Sequence, residues 1–275
     1  MKYIRILCLA FMPLVVFGQT PRTTEPAFDI ADFNKKFEVA QWLVAYDTVA
    51  WKTSDLVMAG DKAELARLGT EWFCFQDSKS VWHAIYGKLD NARFDQVFHY
   101  VVDGTGKVAR TTDKVDEEFL IAHAKALALA QKNLRAAIPA GSPVHNAYIM
   151  RNDDKTFIVW LFPAFQTNYV AVYGGEFVYT IDATAQKITK DESYFQGAFR
   201  GFNAKPPREI WLNYREKEKP TLGSIFFVWY YKEYFTKIYI DNAKSTSTVI
   251  KNGSEYIWVH VEKDQPSPGN RNAKS

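Results

Sequence analysis

The chain has 275 residues, of which 47% are hydrophobic and 16% aromatic, and its 34 basic and 31 acidic residues give a formal net charge of +3. This length and apolar content suffice for one large packed domain. Lysine and arginine are not clustered as they are on a nucleic-acid-binding face, so we exclude nucleic acid as a partner.

The first 19 residues are typical of a cleaved signal peptide. Lys2 and Arg5 stand at the start of an apolar run over residues 4–17, and the small side chains of Val16 and Gly18 suit a signal-peptidase site. The run is shorter than the about 20 residues that a permanent membrane helix needs. We therefore expect export to the periplasm or the medium, with cleavage after Gly18 or one residue later and no stable membrane span afterwards. A retained N-terminal anchor is the alternative.

The remainder is expected to form one domain between two irregular ends. Residues 20–28 contain two prolines and little pattern, and residues 263–275 are rich in small polar residues, so we expect a flexible leader and a disordered tail around a domain at 29–262. After cleavage Cys74 is the only cysteine, which excludes an internal disulfide. Stability must therefore come from the core.

Three helices are predicted from apolar spacing and capping residues. The first begins at Asp29 or Asp32 and ends near Thr53, and a short second helix spans residues 61–68. The longest helix is predicted at 114–138, where one apolar side is preceded by acidic residues that suit the helix dipole. At this length it would lie across a whole sheet face.

The strand pattern predicts an α+β fold with a large twisted antiparallel sheet, N-terminal helices and one long central helix packed on one face. Residues 194–205 break the period of two and predict an ordered loop. Strands are predicted at 71–76, 81–86, 94–102, 145–150, 156–162, 169–173, 176–181, 187–189, 209–214, 224–231, 236–242 and 255–262.

Two of these strands are predicted to form a hairpin at Gly174-Gly175. A glycine pair tolerates the positive φ angles of a two-residue turn, so Tyr173 is expected to face Glu176. In the last strand, Ile257, Val259 and Val261 are expected to face the core, with His260 on the opposite side.

The sharpest chemical hypothesis is a catalytic pair of Cys74 and His83. A four-residue loop over 77–80 would place Cys74 directly opposite His83, where an imidazole can activate a thiol as the nucleophile of a hydrolase. The competing interpretation is a buried structural thiol, because aromatic residues surround Cys74.

Other chemistry has weaker support in the sequence. The acidic pairs Asp153-Asp154 and Asp191-Glu192 suggest a carboxylate-based hydrolase, although the first pair is better explained as a turn. We expect no metal site and no cofactor. The five histidines have no metal-ligand spacing, and they lie at positions 83, 99, 123, 145 and 260.

The aromatic segment at 225–235 suggests a binding surface. As a strand it would carry Phe227, Trp229 and Tyr231 on one face, and exposed rings there would stack against a sugar or a protein partner. A central strand covered on both sides is the alternative. The leading hypothesis is an exported, non-catalytic binding or accessory module that binds a protein or carbohydrate through aromatic surface residues. The alternative is a hydrolase with the Cys74 and His83 pair or a carboxylate-based site.

Overall fold

A computed structural model of the chain describes residues 28–205 and 208–263. The predicted signal peptide, the leader before residue 28 and the predicted tail from residue 264 lie outside the described residues. The rest confirms the α+β class.

Three helices occupy the first half of the chain. Helix α1 (Ile30–Met58) is capped by the Asp29 side chain, which accepts a hydrogen bond from the Asp32 backbone N–H at 3.0 Å. It does not end near Thr53 as predicted, because the Thr53 hydroxyl turns into the core and bonds the Val49 carbonyl and the Tyr86 hydroxyl. Helices α2 (Lys62–Leu65) and α3 (Glu117–Ala137) follow. The longest helix is therefore α1 and not the central one.

The predicted single sheet is divided into three sheets. The first is an antiparallel meander of β1 (Glu71–Gln76), β2 (Trp82–Asp90), β3 (Arg93–Val102) and β4 (Val108–Arg110). The second contains β5 (His145–Arg151), β6 (Phe157–Pro163), β7 (Val170–Ile181), β8 (Ile188–Asp191) and β9 (Tyr194–Asn203). Strand β9 lies where an ordered loop was predicted, and it pairs with β7.

The glycine pair lies within β7 and does not form the predicted turn. Gly174 has φ +104°, and the pairing with β9 shifts register between Tyr173 and Gly175. A Cβ on Gly175 would lie 2.5 Å from the ring of Phe199. The glycines therefore make room for a bulge in β9. Strand β7 continues through this point as one long strand and pairs with different strands along its length.

The third sheet has the order β10-β11-β12-β13 and is partly parallel. Its strands are β10 (Glu209–Tyr214), β11 (Lys237–Asn242), β12 (Ser245–Asn252) and β13 (Glu255–Glu262). Helix α4 (Leu222–Tyr231) crosses between β10 and β11, which allows these two strands to run parallel.

The elements pack in layers. Helix α3 covers one side of the first two sheets, and α1 and α4 cover the other side. The third sheet lies on α4, with Ile238 and Ile240 among the residues that it contributes to the shared core. Within the described residues, no element packs on the outer face of this third sheet.

Candidate binding surface

The predicted opposition of Cys74 and His83 is wrong by one residue. Cys74 pairs with Ala84, and His83 pairs with Phe75. Five residues, 77–81, connect the two strands in place of the predicted four, because Gln76 pairs with Trp82 and not with Val81. Since neighbouring residues of a strand point to opposite faces, the thiol and the imidazole lie on different sides of the sheet.

Cys74 lies in the core and has no exposed surface. Burial raises the pKa of its thiol well above the ordinary value, which disfavours the nucleophilic thiolate. The Cys74 backbone N–H bonds the hydroxyl oxygen of the buried Tyr46. These contacts are those of a structural residue.

His83 belongs to a histidine pair on the other face of the sheet. The His99 Nδ1 lies 3.0 Å from the Asp113 carbonyl oxygen, which can only accept, so the His99 Nε2 accepts from the His83 Nδ1 at 2.8 Å. The His83 ring also stacks on Phe75, with 4.8 Å between centroids. Burial lowers the pKa of His99, and the hydrogen bond with the Asp113 carbonyl offsets this only in part. Both rings tie neighbouring strands together.

The predicted aromatic binding strand is helix α4. Phe227 and Tyr231 are buried, and Trp229 packs edge-on against Phe37 at 4.7 Å, so the three predicted binding residues do not form an exposed row. The Thr221 side chain caps the helix. A helix that is apolar on all sides is a buried helix, and α4 accordingly fills the space between α1 and two sheets.

The two faces of β13 are the reverse of the prediction. Trp258 and His260 point inward and contact the ring of Phe33 at 5.0 and 4.3 Å between centroids. Burial lowers the pKa of His260 to about 4. Ile257 and Val261 consequently point outward, and they are 42% and 59% exposed.

This reversal creates an apolar surface, which we call the docking face. One row crosses all four strands of the third sheet, because Trp211 pairs with Tyr239, Tyr239 with Thr248, and Thr248 with Val259. The docking face consists of this row and its outward-facing neighbours, namely Trp211, Tyr239, Thr246, Thr248, Ile250, Ile257, Val259 and Val261.

The aromatic end of the docking face is ordered by ring stacking. The Trp211 and Tyr239 rings lie 4.2 Å apart between centroids and are inclined by 18°. Because β10 is an edge strand, the second face of the indole has no neighbouring strand, and Trp211 is 52% exposed. Stacking holds this large side chain in place without burying it.

Charged groups lie at the ends of the docking face. Glu209 and Lys237 pair in register at one end. At the other end Lys263 and Arg215 form ion pairs with Asp241; burial opposes ionisation there, but the two cations outweigh it and the pKa of Asp241 is lowered. The central row carries no charge, as is typical of an interface core.

The period-two pattern of β10 is the sequence signal that could have identified Trp211 as an exposed residue. Ile210 and Leu212 are buried, so Trp211 between them must point outward. The strand itself was predicted correctly from the sequence, but its side chains were not assigned to the buried and exposed faces.

The described residues offer little support for other site classes. Asp153-Asp154 forms a turn, in which the Asp154 side chain accepts a hydrogen bond from the Thr156 backbone N–H at 3.0 Å. No three metal-ligating side chains converge in the part of the chain that the structure describes. None of the helices within 28–205 and 208–263 combines the length and the apolar character needed to cross a membrane.

Comparison of the chain with protein-family models, with curated proteins and with solved structures finds no match.

Proposed function

We propose that this chain is an exported, non-catalytic binding module whose docking face binds a second copy of the chain. The observation that carries the proposal is the stacked pair of Trp211 and Tyr239 on an uncovered, uncharged row of the third sheet. Sheet faces of soluble proteins that expose both aromatic and aliphatic side chains are typical sites of association.

The composition of the docking face favours a protein over a sugar as its partner. A sugar ring needs hydrogen-bonding groups around the aromatic platform. The half of the face formed by β12 and β13 instead presents Ile250, Ile257, Val259 and Val261. These aliphatic side chains have no hydrogen-bonding groups and match another apolar surface.

The two ends of the docking face complement each other. A two-fold axis parallel to the strands would lay β10 of one copy over β13 of the other. Trp211 would then cover Val259 of the second copy, and Tyr239 would cover Thr248. Aromatic side chains would meet aliphatic ones at both ends, and the sheets would pack about 10 Å apart.

Export is proposed from the N-terminal sequence alone. The basic start, the apolar run and the small residues at 16 and 18 support it. Intact-mass measurement of the protein recovered from its host tests it. A chain that begins at Gln19 or Thr20 is expected, and a chain that retains the apolar run would contradict export.

A hydrolase has less support than a binding module. The Cys74 and His83 side chains are separated by the sheet. Among carboxylates, Asp191 and Glu192 are exposed, and Glu192 is paired with Lys190 at 2.9 Å. Neither carboxylate is buried, and the two do not point into a common cleft as an acid–base pair must.

Sedimentation equilibrium of the wild-type chain and two variants tests the proposed dimer. We expect a concentration-dependent dimer, and Trp211→Ala should weaken it by about thirtyfold or more, as loss of a central aromatic anchor does. Trp51→Ala is the matched control, because Trp51 is 66% exposed on α1, away from the docking face.

Two results would contradict the proposal. One is a wild-type chain that stays monomeric up to about 0.1 mM. The other is equal dimerisation of both tryptophan variants. A monomer that adheres to a polysaccharide through Trp211 would assign the face to a carbohydrate and would likewise overturn the second copy as its occupant.

A further inference from the structure

A groove of about 640 Å³ lies between the start of α1, strands β6 and β7 of the second sheet and the segment before α4. Its size is in the range of small-molecule sites. Its walls are largely apolar and include Val39, Ile158, Val178 and Leu222.

Glu176 on β7 forms part of the groove lining and is only 5% exposed. Its two carboxyl oxygens accept hydrogen bonds from the Thr221 hydroxyl and, at 2.5 Å, from the Gly223 backbone N–H. Each oxygen retains a second lone pair. Desolvation outweighs these hydrogen bonds and raises the pKa of Glu176 to about 7. A substantial fraction is therefore neutral at physiological pH.

The charged groups at the groove rim are nearly all neutralised. Lys217 is the exception, since it makes no ion pair within the described residues and lies over the Tyr194 ring at 4.0 Å from the centroid. The pairs at the rim are Lys36 with Asp32, Lys219 with Asp29, Glu192 with Lys190, and Glu218 with Lys244.

We propose that this groove binds a small amphipathic carboxylate. The carboxylate of the ligand would lie between the Lys217 ammonium and the protonated carboxyl of Glu176, and its apolar part would lie along the walls. An unpaired cation attracts the anion, a neutral acid donates a hydrogen bond to it, and the apolar walls bury the remainder. None of these residues belongs to the docking face, so the two proposals stand independently.

The ionisation of Glu176 should control the affinity. The charged or titratable groups that face it are Lys36 from α1, Lys217 from the segment after β10, and the Tyr214 hydroxyl from β10. The carboxylate form of Glu176 would repel the ligand and would no longer donate a hydrogen bond to it.

Calorimetric titration with decanoate, a ten-carbon carboxylate, tests the proposal. With a pKa of about 7, the neutral fraction of Glu176 falls roughly tenfold between about pH 6 and about pH 8. We expect the affinity of the wild-type chain to fall by a similar factor. Lys217→Met should weaken binding about tenfold or more at both pH values.

Two further variants make the test specific. Glu176→Gln should keep the affinity nearly constant across this pH range, because its amide does not titrate. Lys132→Met is the matched control for loss of charge, since Lys132 is exposed on α3, away from the groove. If Glu176→Gln does not fold, the wild-type pH profile and Lys217→Met still decide the question.

The proposal is overturned by any of three results. These are no binding of decanoate at either pH, wild-type binding that does not weaken with rising pH, and equal binding by Lys217→Met and Lys132→Met.

Discussion

The hydroxyl oxygen of Tyr46 accepts a hydrogen bond from the Cys74 backbone N–H at 2.8 Å, and both residues are fully buried. This contact joins α1 to the middle of β1. The thiol is shielded from solvent at this point, because α1 covers the face of β1 that carries Cys74.

The thiol of Cys74 should be unreactive in the folded protein. Burial removes the route for a reagent and raises the thiol pKa, so the thiolate is scarce. Thiol labelling followed by peptide mass spectrometry should show Cys74 unmodified until denaturant unfolds the chain. Rapid labelling of the native protein would mean that β1 is accessible and that the packing described here is wrong.

Gly174 should resist substitution because of its backbone conformation and its neighbour. Its φ is +104°, and an added Cβ would lie 2.7 Å from the Ala198 carbonyl oxygen. We expect Gly174→Ala to lower the free energy of unfolding by about 1–3 kcal/mol. Gly104→Ala is the control, because nothing lies within 4 Å of a Cβ there and φ is not positive. Equal stabilities in denaturant titrations would contradict the close approach of the β9 bulge to Gly174.

Two buried groups should give opposite pH dependences of stability. Burial lowers the pKa of His123 to about 4, below the ordinary value of about 6.5, so protonation favours the unfolded chain. His123 therefore contributes about 3 kcal/mol to the free energy of unfolding above pH 6.5, and this contribution is lost as the pH falls towards 4. Glu176 behaves in the opposite way. Its pKa is raised, so its contribution is present below about pH 4.5 and is lost as the pH rises through about 7.

Single substitutions should separate these two contributions. In Glu176→Gln, the free energy of unfolding should rise more steeply between about pH 4.5 and about pH 6.5 than in the wild type, since the opposing contribution of Glu176 is absent. In His123→Gln the rise should be shallower than in the wild type. Denaturant titrations at several pH values measure these slopes. Parallel profiles for all three proteins would mean that neither side chain is buried as described.

Local patterns predicted much of this fold. Asp29 and the apolar spacing after it located the start of α1, and alternation located the first three strands of the first sheet but not the short β4. Longer-range features were not accessible in this way. The division into three sheets depends on which strands pair, and nothing in a single strand records its partner. The one-residue error at Cys74 arose because the loop length was inferred from turn-forming residues alone.

Aromatic residues caused the main errors at the candidate surfaces. The segment that forms α4 is an unbroken run of apolar and aromatic residues after Ser224, so no period distinguished a helix from a buried strand, and the capping role of Thr221 was missed. In β13 both faces carry apolar side chains, and the aliphatic residues were assigned to the core although Trp258 and His260 occupy it. The groove at Glu176 combines residues far apart in the chain, which no local pattern indicates.

Hydroxyl-radical footprinting of the wild-type chain tests the central claim about the docking face most directly. Over a concentration series from about 1 µM to about 0.1 mM, oxidation of Trp211 should fall as the docking face is covered, while oxidation of the exposed Trp51 should stay constant. If the ratio of Trp211 oxidation to Trp51 oxidation is the same at every concentration, the docking face does not bind a second copy.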